Sequence, residues 1–172
     1  RTLGFPGEEK FKGHGVAYCA TCDGEFFTGK EIFVIGGGFA AAEESVFLTR
    51  YAKHVTVLVR EDDFTCAAAV AEKAKENPKI TVMTNTEVVG VDGGEYPNKI
   101  IYKNNKTGKE TTFASKDDTF GVFVFVGYEP ASELVVNAVA TDKYGYILTD
   151  KTQKTNIDGV YAAGDVCEKT LR

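Results

Sequence analysis

Two cysteines in the segment CATCD have the spacing of a redox centre. Cys19 and Cys22 form a CxxC, which can cycle between dithiol and disulfide where a thiolate is stabilised locally. Asp23 follows directly, and a carboxylate there can donate or accept a proton during thiol–disulfide exchange. A redox pair is the favoured interpretation, and metal binding or chance packing are the alternatives.

Metal binding is the weaker alternative because structural zinc takes four ligands. The other cysteines and histidines are Cys66, Cys167, His14 and His54. These four are scattered along the chain, and a free cysteine is usually a small buried apolar residue. We therefore expect Cys66 and Cys167 to be packing residues, and His14 and His54 to be surface or cap residues without a role.

A glycine-rich segment at residues 36–41 has the pattern G-x-G-x-x-A, which is typical of dinucleotide-binding turns. Gly36 permits a tight turn, Gly38 lets the backbone approach a pyrophosphate, and Ala41 lets a helix pack closely on a strand. With Gly37 and Phe39 these residues form the predicted cofactor-binding turn. The alternative is a glycine-rich turn that only packs.

Charged residues follow the second predicted strand, where dinucleotide-binding domains contact the adenosine ribose. An acid there bonds the 2′-hydroxyl of NAD, whereas an arginine accommodates the 2′-phosphate of NADP. Arg60 and Glu61 supply both, so the residues leave NADH and NADPH open. Residues 59–65 hold one arginine against three acids, a net of −2, which predicts that NADH binds no worse than NADPH. A solvated charged loop without a ligand is the alternative.

A second small-residue segment, GVYAAGD, ends in Gly164 and Asp165. We predict a strand over 158–165, which places the Asp165 carboxylate at a strand's carboxyl end, where α/β sheets bind ligands. A carboxylate in that position can bond a polyol hydroxyl. The alternative is a helix N-cap aspartate.

The elements around these residues predict an α/β, Rossmann-like dinucleotide-binding domain with a parallel sheet and an antiparallel β-meander. Residues 1–18 are expected to be an irregular lead-in. Apolar periodicity and turn residues predict the remaining elements. The predicted helices are 39–53 and 66–76; the predicted strands are 31–35, 54–60, 79–85, 87–93, 98–105, 109–116, 119–127, 145–150 and 158–165.

Composition narrows the function further. The 172 residues carry a net charge of −5 and are 43% apolar, which argues against a nucleic-acid binder and supports a packed core. No apolar run approaches the roughly 18 residues of a membrane span. We therefore expect no nucleic acid and no membrane, and a cytoplasmic protein whose dithiol needs a reducing pool.

The succession CATCDG, VIGGGxxAAEE and GVYAAGD resembles the low-molecular-weight bacterial thioredoxin reductases over essentially the whole chain. The resemblance implies a homodimeric enzyme in which FAD reduces the cysteine pair, which then reduces thioredoxin. It implies that Cys22 faces the flavin and that Cys19 attacks thioredoxin. It also implies that Gly164 and Asp165 contact FAD, and we include Gly127 among the cofactor-binding residues.

The resemblance further implies a division into a partial FAD-domain segment or linker at 1–16, an NAD(P)H-binding domain at 17–127, and a partial FAD-domain segment at 128–172. The strands flanking the nucleotide domain would then be FAD-domain strands. We expect an excised piece of a longer enzyme, inactive and weak in FAD binding by itself. The core and meander are expected to fold without FAD.

The chain departs from that family's pattern at the residues that would contact the adenosine ribose. The family's His-Arg-Arg with a further arginine corresponds here to Val59-Arg60-Glu61 and Thr65. Each missing charge-assisted bond to phosphate would be worth about 1.5–3 kcal/mol, so a preference for NADPH should be weakened. Phe39 stands where a small or polar residue is usual and could crowd the cofactor. Both changes are similar to those of ferredoxin-dependent flavin thioredoxin reductases.

Three functions are therefore weighed. The first is a flavin-dependent disulfide oxidoreductase acting on thioredoxin or a similar protein disulfide. The second is a nucleotide-binding module without turnover, which would have no use for the cysteine pair. The third is a related flavoprotein that reduces another acceptor and takes electrons from ferredoxin.

Overall fold

The structure is a computed structural model that describes residues 1–168. Its contacts divide the chain into two units, Arg1–Gly127 and a second beginning at Tyr128. Division into 1–16, 17–127 and 128–172 stays a prediction. The elements of the first unit are α1 Glu8–Phe11, β1 Val16–Ala17, α2 Ala20–Asp23, a 3₁₀ turn Gly24–Phe27, β2 Glu31–Ile35, α3 Phe39–Leu48, β3 His54–Leu58, α4 Ala68–Lys75, β4 Ile80–Met83, β5 Thr86–Gly93, β6 Pro97–Asn104, β7 Glu110–Ala114 and β8 Gly121–Val124.

Five strands form the predicted parallel sheet, in the order β1-β8-β2-β3-β4. Every neighbouring pair is parallel, with Val34 opposite Val57 on one side and opposite Phe123 on the other. Strand β2 is therefore central, flanked by β3 and β8. Since β2 leads directly into the glycine-rich segment, that segment emerges at the middle of the sheet's carboxyl edge.

Side chains alternate along β2 and divide the core into two layers. Ile32 and Val34 join the cluster that includes Ala41, Ala42 and Leu48 of α3. Phe33 and Ile35 join the opposite cluster, which includes Val91, Ile100, Phe5, Phe11 and Val16. Because both faces of the sheet are covered, its strands are continuous apolar runs.

The predicted β-meander is a separate antiparallel sheet in the order β5-β6-β7. Its second turn lies at residues 105–108, where the Asn104 N–H donates to the Lys109 carbonyl at 2.9 Å and Gly108 has a φ of 70°. The fold class predicted from the sequence is thus confirmed for both sheets.

The lead-in differs from the prediction because it is not irregular. It contains α1 and β1, and Phe11 is completely buried. Val16 pairs with Val122, so β1 extends the parallel sheet by one strand. Strand β1 has only two residues, which is too short to show an alternating apolar pattern. Tertiary packing therefore determines that it forms a strand.

Helix α3 ends at Leu48 rather than at Lys53. The Thr49 hydroxyl donates to the Val46 carbonyl at 2.7 Å, and the N–H groups of Thr49, Arg50 and Tyr51 each bond a carbonyl three residues back. The last turn is therefore tightened, as is common where a helix ends.

The strands predicted at 145–150 and 158–165 are wrong. The second unit, as far as residue 168, contains only isolated bridges: Thr141 with Ile147, Ile147 with Cys167, and Lys154 with Tyr161. These bridges join residues of the second unit to one another.

Local hydrogen bonds explain why no ladder forms there. Asp142 accepts from the N–H groups of Tyr144 and Tyr146, and Asp150 accepts from those of Thr152 and Lys154. These side-chain turns satisfy the backbone locally and compete with strand pairing.

No helix within residues 1–168 is long and apolar enough to cross a membrane.

Candidate functional site

Cys19 and Cys22 are joined by a disulfide, with their Cα atoms 5.3 Å apart. Cys19 has extended backbone angles and is the N-cap of α2, and its Sγ accepts a hydrogen bond from the Cys22 N–H at 3.2 Å. The helical turn thus brings the two sulfurs together and directs a backbone donor at the first of them. Cys19 is half-buried, whereas Cys22 is exposed.

Asp23 closes α2 and is half-buried next to the exposed Cys22. It lines a cavity of about 290 Å³ together with apolar and glycine residues. Two aromatic side chains at this cavity are unusually open, Phe26 at 77% and Tyr96 at 50% exposure. The residue that directly follows the redox pair therefore lies at a largely apolar cavity, which His14 and Thr119 also line.

A buried carboxylate anchors the strand that leads into the redox pair. Glu8 is 2% exposed and accepts the Tyr18 hydroxyl at 2.8 Å, together with the N–H groups of Leu3 and Gly4. Burial raises the pKa of Tyr18 above its ordinary value, and the hydrogen bond to Glu8 raises it further by a smaller amount. Tyr18 directly precedes Cys19, so this network fixes the backbone at the start of the redox turn.

The glycine-rich segment turns sharply between β2 and α3. Gly36 has a φ of 143°, and a Cβ on it would lie 2.2 Å from the Phe125 carbonyl oxygen and 3.2 Å from the Ala41 Cβ. A side chain at Gly36 is therefore excluded. A Cβ on Gly38 would meet nothing within 4 Å, so the backbone at the start of α3 is open to a ligand.

A cleft of about 440 Å³ lies over this turn. Of the predicted site residues it brings together Gly36, Gly37, Gly38, Arg60, Glu61 and Gly127. Ala41 is fully buried behind the turn. Phe39 is 52% exposed and is not among the residues that line the cleft, so the structure does not show the crowding expected of it.

The segment after β3, residues 60–65, forms one wall of the cleft and is held against the glycine turn. The Thr65 N–H donates to the Gly37 carbonyl at 2.7 Å, and the Asn85 N–H donates to the Glu61 carbonyl at 2.8 Å. The Glu61 Oε2 atom would lie 3.4 Å from a Cβ on Gly37. The Glu61 carboxylate is therefore placed directly beside the turn.

Each acid of this segment has a cationic partner. The Arg60 guanidinium donates to Glu61 Oε1 at 3.0 and 3.2 Å, Lys75 donates to Asp63 at 2.6 Å, and Lys106 pairs with Asp62. Hydrogen bonds from Lys106 and Lys75 hold the pKa values of Asp62 and Asp63 below their ordinary range. The fold thus supplies two lysines that the count over residues 59–65 did not include.

These residues fit a dinucleotide. The glycine turn leaves backbone N–H groups at the start of α3 accessible to a pyrophosphate, and the helix dipole favours negative charge there. Glu61 offers a carboxylate at the position where the ribose is contacted. A Cβ at Gly36 would collide, whereas one at Gly38 would fill open space in the cleft.

Gly164 and Asp165 lie in the second unit. Gly164 has a φ of 88° with no atom within 4 Å of a Cβ position, and Asp165 is exposed. A carboxylate after an open glycine suits the polyol hydroxyl groups of a flavin nucleotide. Cys167, in the same unit, is buried. Cys66, in the first unit, packs against the core cluster that includes Leu48 of α3.

Several residues of these two sites escaped the sequence reasoning. Thr86, Glu87, Val88, Phe125, Val126, Arg1 and Leu3 also line the cleft. Their signal is positional, since Phe125 and Thr86 follow β8 and β4 at the carboxyl edge of the sheet. Phe26, Tyr96 and His14 line the cavity at Asp23, and no local pattern in the sequence indicated that they lie together there.

The chain is similar to thioredoxin reductases along its whole length. It is 46% identical to the thioredoxin reductase of Peptoclostridium litorale, covering 100% of this chain and 55% of that protein. The Lactococcus lactis thioredoxin reductase, in the FR conformation, matches with a TM-score of 0.88 at 39% identity, over 100% of this chain and 56% of that one. The chain thus spans about half the length of these relatives.

A ferredoxin-flavin thioredoxin reductase from Clostridium acetobutylicum matches less well, with a TM-score of 0.55 at 28% identity over 100% of this chain and 53% of that one. The family described as pyridine nucleotide-disulphide oxidoreductase matches residues 1–172. A glycine-rich nucleotide turn and a cysteine pair joined as a disulfide are what that description requires. The chain belongs to the pyridine nucleotide-disulphide oxidoreductase family.

Proposed function

We propose that this chain is the disulfide-bearing part of a flavin-dependent thioredoxin reductase. The observation that carries the proposal is the Cys19–Cys22 disulfide at the start of α2, with Asp23 beside it. The similarity to the thioredoxin reductases of Peptoclostridium litorale and Lactococcus lactis supports thioredoxin as the protein substrate. A nucleotide-binding module without turnover would have no use for a disulfide.

FAD, held in part by Gly164 and Asp165, would supply the two electrons that reduce the disulfide. Two protons are taken up as the Cys19 and Cys22 sulfurs become thiols, and in this proposal Asp23, half-buried and next in sequence to Cys22, delivers one of them. The Cys22 N–H, 3.2 Å from Cys19 Sγ, would stabilise negative charge on that sulfur.

Cys19 then attacks thioredoxin. Its thiolate forms a mixed disulfide with one thioredoxin sulfur and releases the other as a thiol. Cys22 attacks the mixed disulfide, restores the Cys19–Cys22 bond and releases thioredoxin as a dithiol. The exposed Phe26 and Tyr96 lie at the cavity that Asp23 lines, so an apolar surface lies next to the residue that follows Cys22.

The electron donor in this proposal is a nicotinamide nucleotide bound in the glycine-lined cleft. Ferredoxin is the alternative donor. The absence here of arginines that the family has, and the match to the ferredoxin-flavin enzyme, favour it. Glycines Gly36 and Gly38 are retained with the geometry that a pyrophosphate needs, which favours the nucleotide. For the whole protein we further propose a homodimer in the cytoplasm, as the resemblance implies.

The test is donor-dependent reduction of thioredoxin by the purified holoenzyme. Thioredoxin dithiol should accumulate with a nicotinamide nucleotide as donor, and a serine at either Cys19 or Cys22 should abolish it. Cys66→Ser is the matched control, because Cys66 lies outside the redox turn, and it should leave turnover intact. Turnover that survives Cys19→Ser would contradict the proposal, and turnover with reduced ferredoxin alone would establish the alternative.

A further inference from the structure

The wall formed by residues 60–65 presents one acid to the ribose region of the cleft. Glu61 and Arg60 both line the cleft, and the Glu61 Oε2 atom lies 3.4 Å from the position of a Cβ on Gly37. Hydrogen bonds from Thr65 to Gly37 and from Asn85 to Glu61 hold the backbone there. The carboxylate is thus carried by a fixed backbone beside the turn.

The cations at this wall are already engaged. Arg60 bonds Glu61 through Nε and Nη2, Lys106 pairs with Asp62, and Lys75 with Asp63. These six groups sum to zero, and the other charged residues that line the cleft, Arg1 and Glu87, are also opposite in sign, so general repulsion of a phosphate is weaker than the −2 of residues 59–65 suggests. Discrimination between nucleotides therefore depends on the individual groups that face the ribose.

We infer that Glu61 selects a nicotinamide nucleotide whose adenosine ribose carries a free 2′-hydroxyl, and that it does so partly by holding Arg60. The inference rests on the proposed function, which places the nicotinamide nucleotide in this cleft. A 2′-hydroxyl can donate to the Glu61 carboxylate. A 2′-phosphate would face that carboxylate, and Arg60 would have to break its bonds to Glu61 to reach the phosphate.

The expected discrimination is moderate, because both side chains are partly open to solvent. Arg60 is 72% exposed and Glu61 is 40% exposed, so water and salt screen part of the interaction. We expect the oxidised holoenzyme to bind NAD⁺ roughly tenfold more tightly than NADP⁺, the difference that one charge-assisted hydrogen bond gives.

The experiment measures dissociation constants of NAD⁺ and NADP⁺ for the oxidised holoenzyme by calorimetry, where no electron transfer occurs. Glu61→Gln keeps the side-chain shape and releases Arg60. It should weaken NAD⁺ binding and strengthen NADP⁺ binding, moving the ratio by about tenfold or more. Adding Arg60→Ala to Glu61→Gln should remove the gain for NADP⁺ and its salt dependence. Glu72→Gln, the same charge change on the exposed side of α4, should leave both constants unchanged.

Two results would overturn the inference while leaving the cleft as the nucleotide site: tighter binding of NADP⁺ by the unmodified enzyme, or an unchanged ratio in Glu61→Gln. If neither nucleotide binds while thioredoxin is reduced from another donor, the inference falls together with the nicotinamide donor. The cysteine-dependent activity would stand in that case. Loss of thioredoxin reduction with nucleotide binding intact would instead contradict the proposed function alone.

Discussion

Tyr18 shows how a single residue links the fold to the redox pair. Its hydroxyl donates to the buried Glu8 carboxylate at 2.8 Å, and the next residue along the chain is Cys19. A buried carboxylate without donors would be costly, so the phenol and the backbone N–H groups of Leu3 and Gly4 stabilise it together. Burial of the phenol, and secondarily this hydrogen bond, favours its protonated form and raises the pKa of Tyr18.

This raised pKa predicts an alkaline loss of stability. The unfolded chain releases the Tyr18 proton near pH 10, whereas the folded chain keeps it, so the contribution is complete below about pH 10 and is lost as the pH rises further. We expect Tyr18→Phe to lower the free energy of unfolding at pH 8 but to flatten its decline above pH 10. The Tyr18 contribution to that slope cannot exceed about 1.4 kcal/mol per pH unit, because only one proton is involved.

Urea unfolding of the holoenzyme between pH 8 and pH 11 measures this difference. Tyr144→Phe is the matched control, since Tyr144 is 68% exposed, and its profile should follow that of the unmodified protein. An identical alkaline decline in Tyr18→Phe and in the unmodified protein would contradict the assignment.

At the scale of elements, the sequence predicted best where local pattern and tertiary packing agree. Strand β2 matches its predicted bounds, 31–35, and β3 and β4 lie inside theirs, because β-branched runs bounded by glycine or charge have no competing structure. Strand β1 was missed, since two residues carry no periodicity and only pairing with β8 makes them a strand. The strand predicted at 145–150 failed because the Asp142 and Asp150 side chains satisfy nearby backbone N–H groups locally. The one predicted at 158–165 has only the isolated bridge between Lys154 and Tyr161.

The unexpected lead-in can be tested through its largest buried side chain. Phe11 is completely buried in the cluster between the two sheets, so Phe11→Ala should cost about 3–5 kcal/mol of unfolding free energy. Phe39→Ala removes the same atoms from a side chain that is 52% exposed and should cost at most about 0.5 kcal/mol. Urea midpoints of the two variants decide the matter. Equal costs would mean that residues 1–16 behave as a linker.

For the whole molecule, the sequence identified the chemistry of both sites more readily than their surroundings. The CxxC and the glycine turn depend on neighbours in the chain, so spacing alone indicated them. The ion pairs of Asp62 with Lys106 and of Asp63 with Lys75 join residues 44 and 12 positions apart, and no local pattern announces such contacts. The charge balance of the segment after β3 therefore depends on contacts that only the fold makes.

Under the proposed function, the order in which the two sulfurs react depends on both this protein and thioredoxin. Cys19 Sγ receives the Cys22 N–H, which would stabilise a thiolate there and make Cys19 the attacking sulfur. In Cys22→Ser the Cys19 thiol remains, but no second thiol resolves the mixed disulfide with thioredoxin. We therefore expect Cys22→Ser to accumulate a covalent complex with thioredoxin and Cys19→Ser to accumulate far less.

This complex is detected by non-reducing electrophoresis and by intact-mass measurement. The thioredoxin used retains only the cysteine that is attacked, and that cysteine is activated for thiol–disulfide exchange. Cys66→Ser in the Cys22→Ser background is the control and should trap as much thioredoxin, since Cys66 packs against the core outside the redox turn. A complex that forms preferentially with Cys19→Ser would assign the attack to Cys22. In that event the exposure of Cys22, rather than the hydrogen bond to Cys19, decides which sulfur meets the partner.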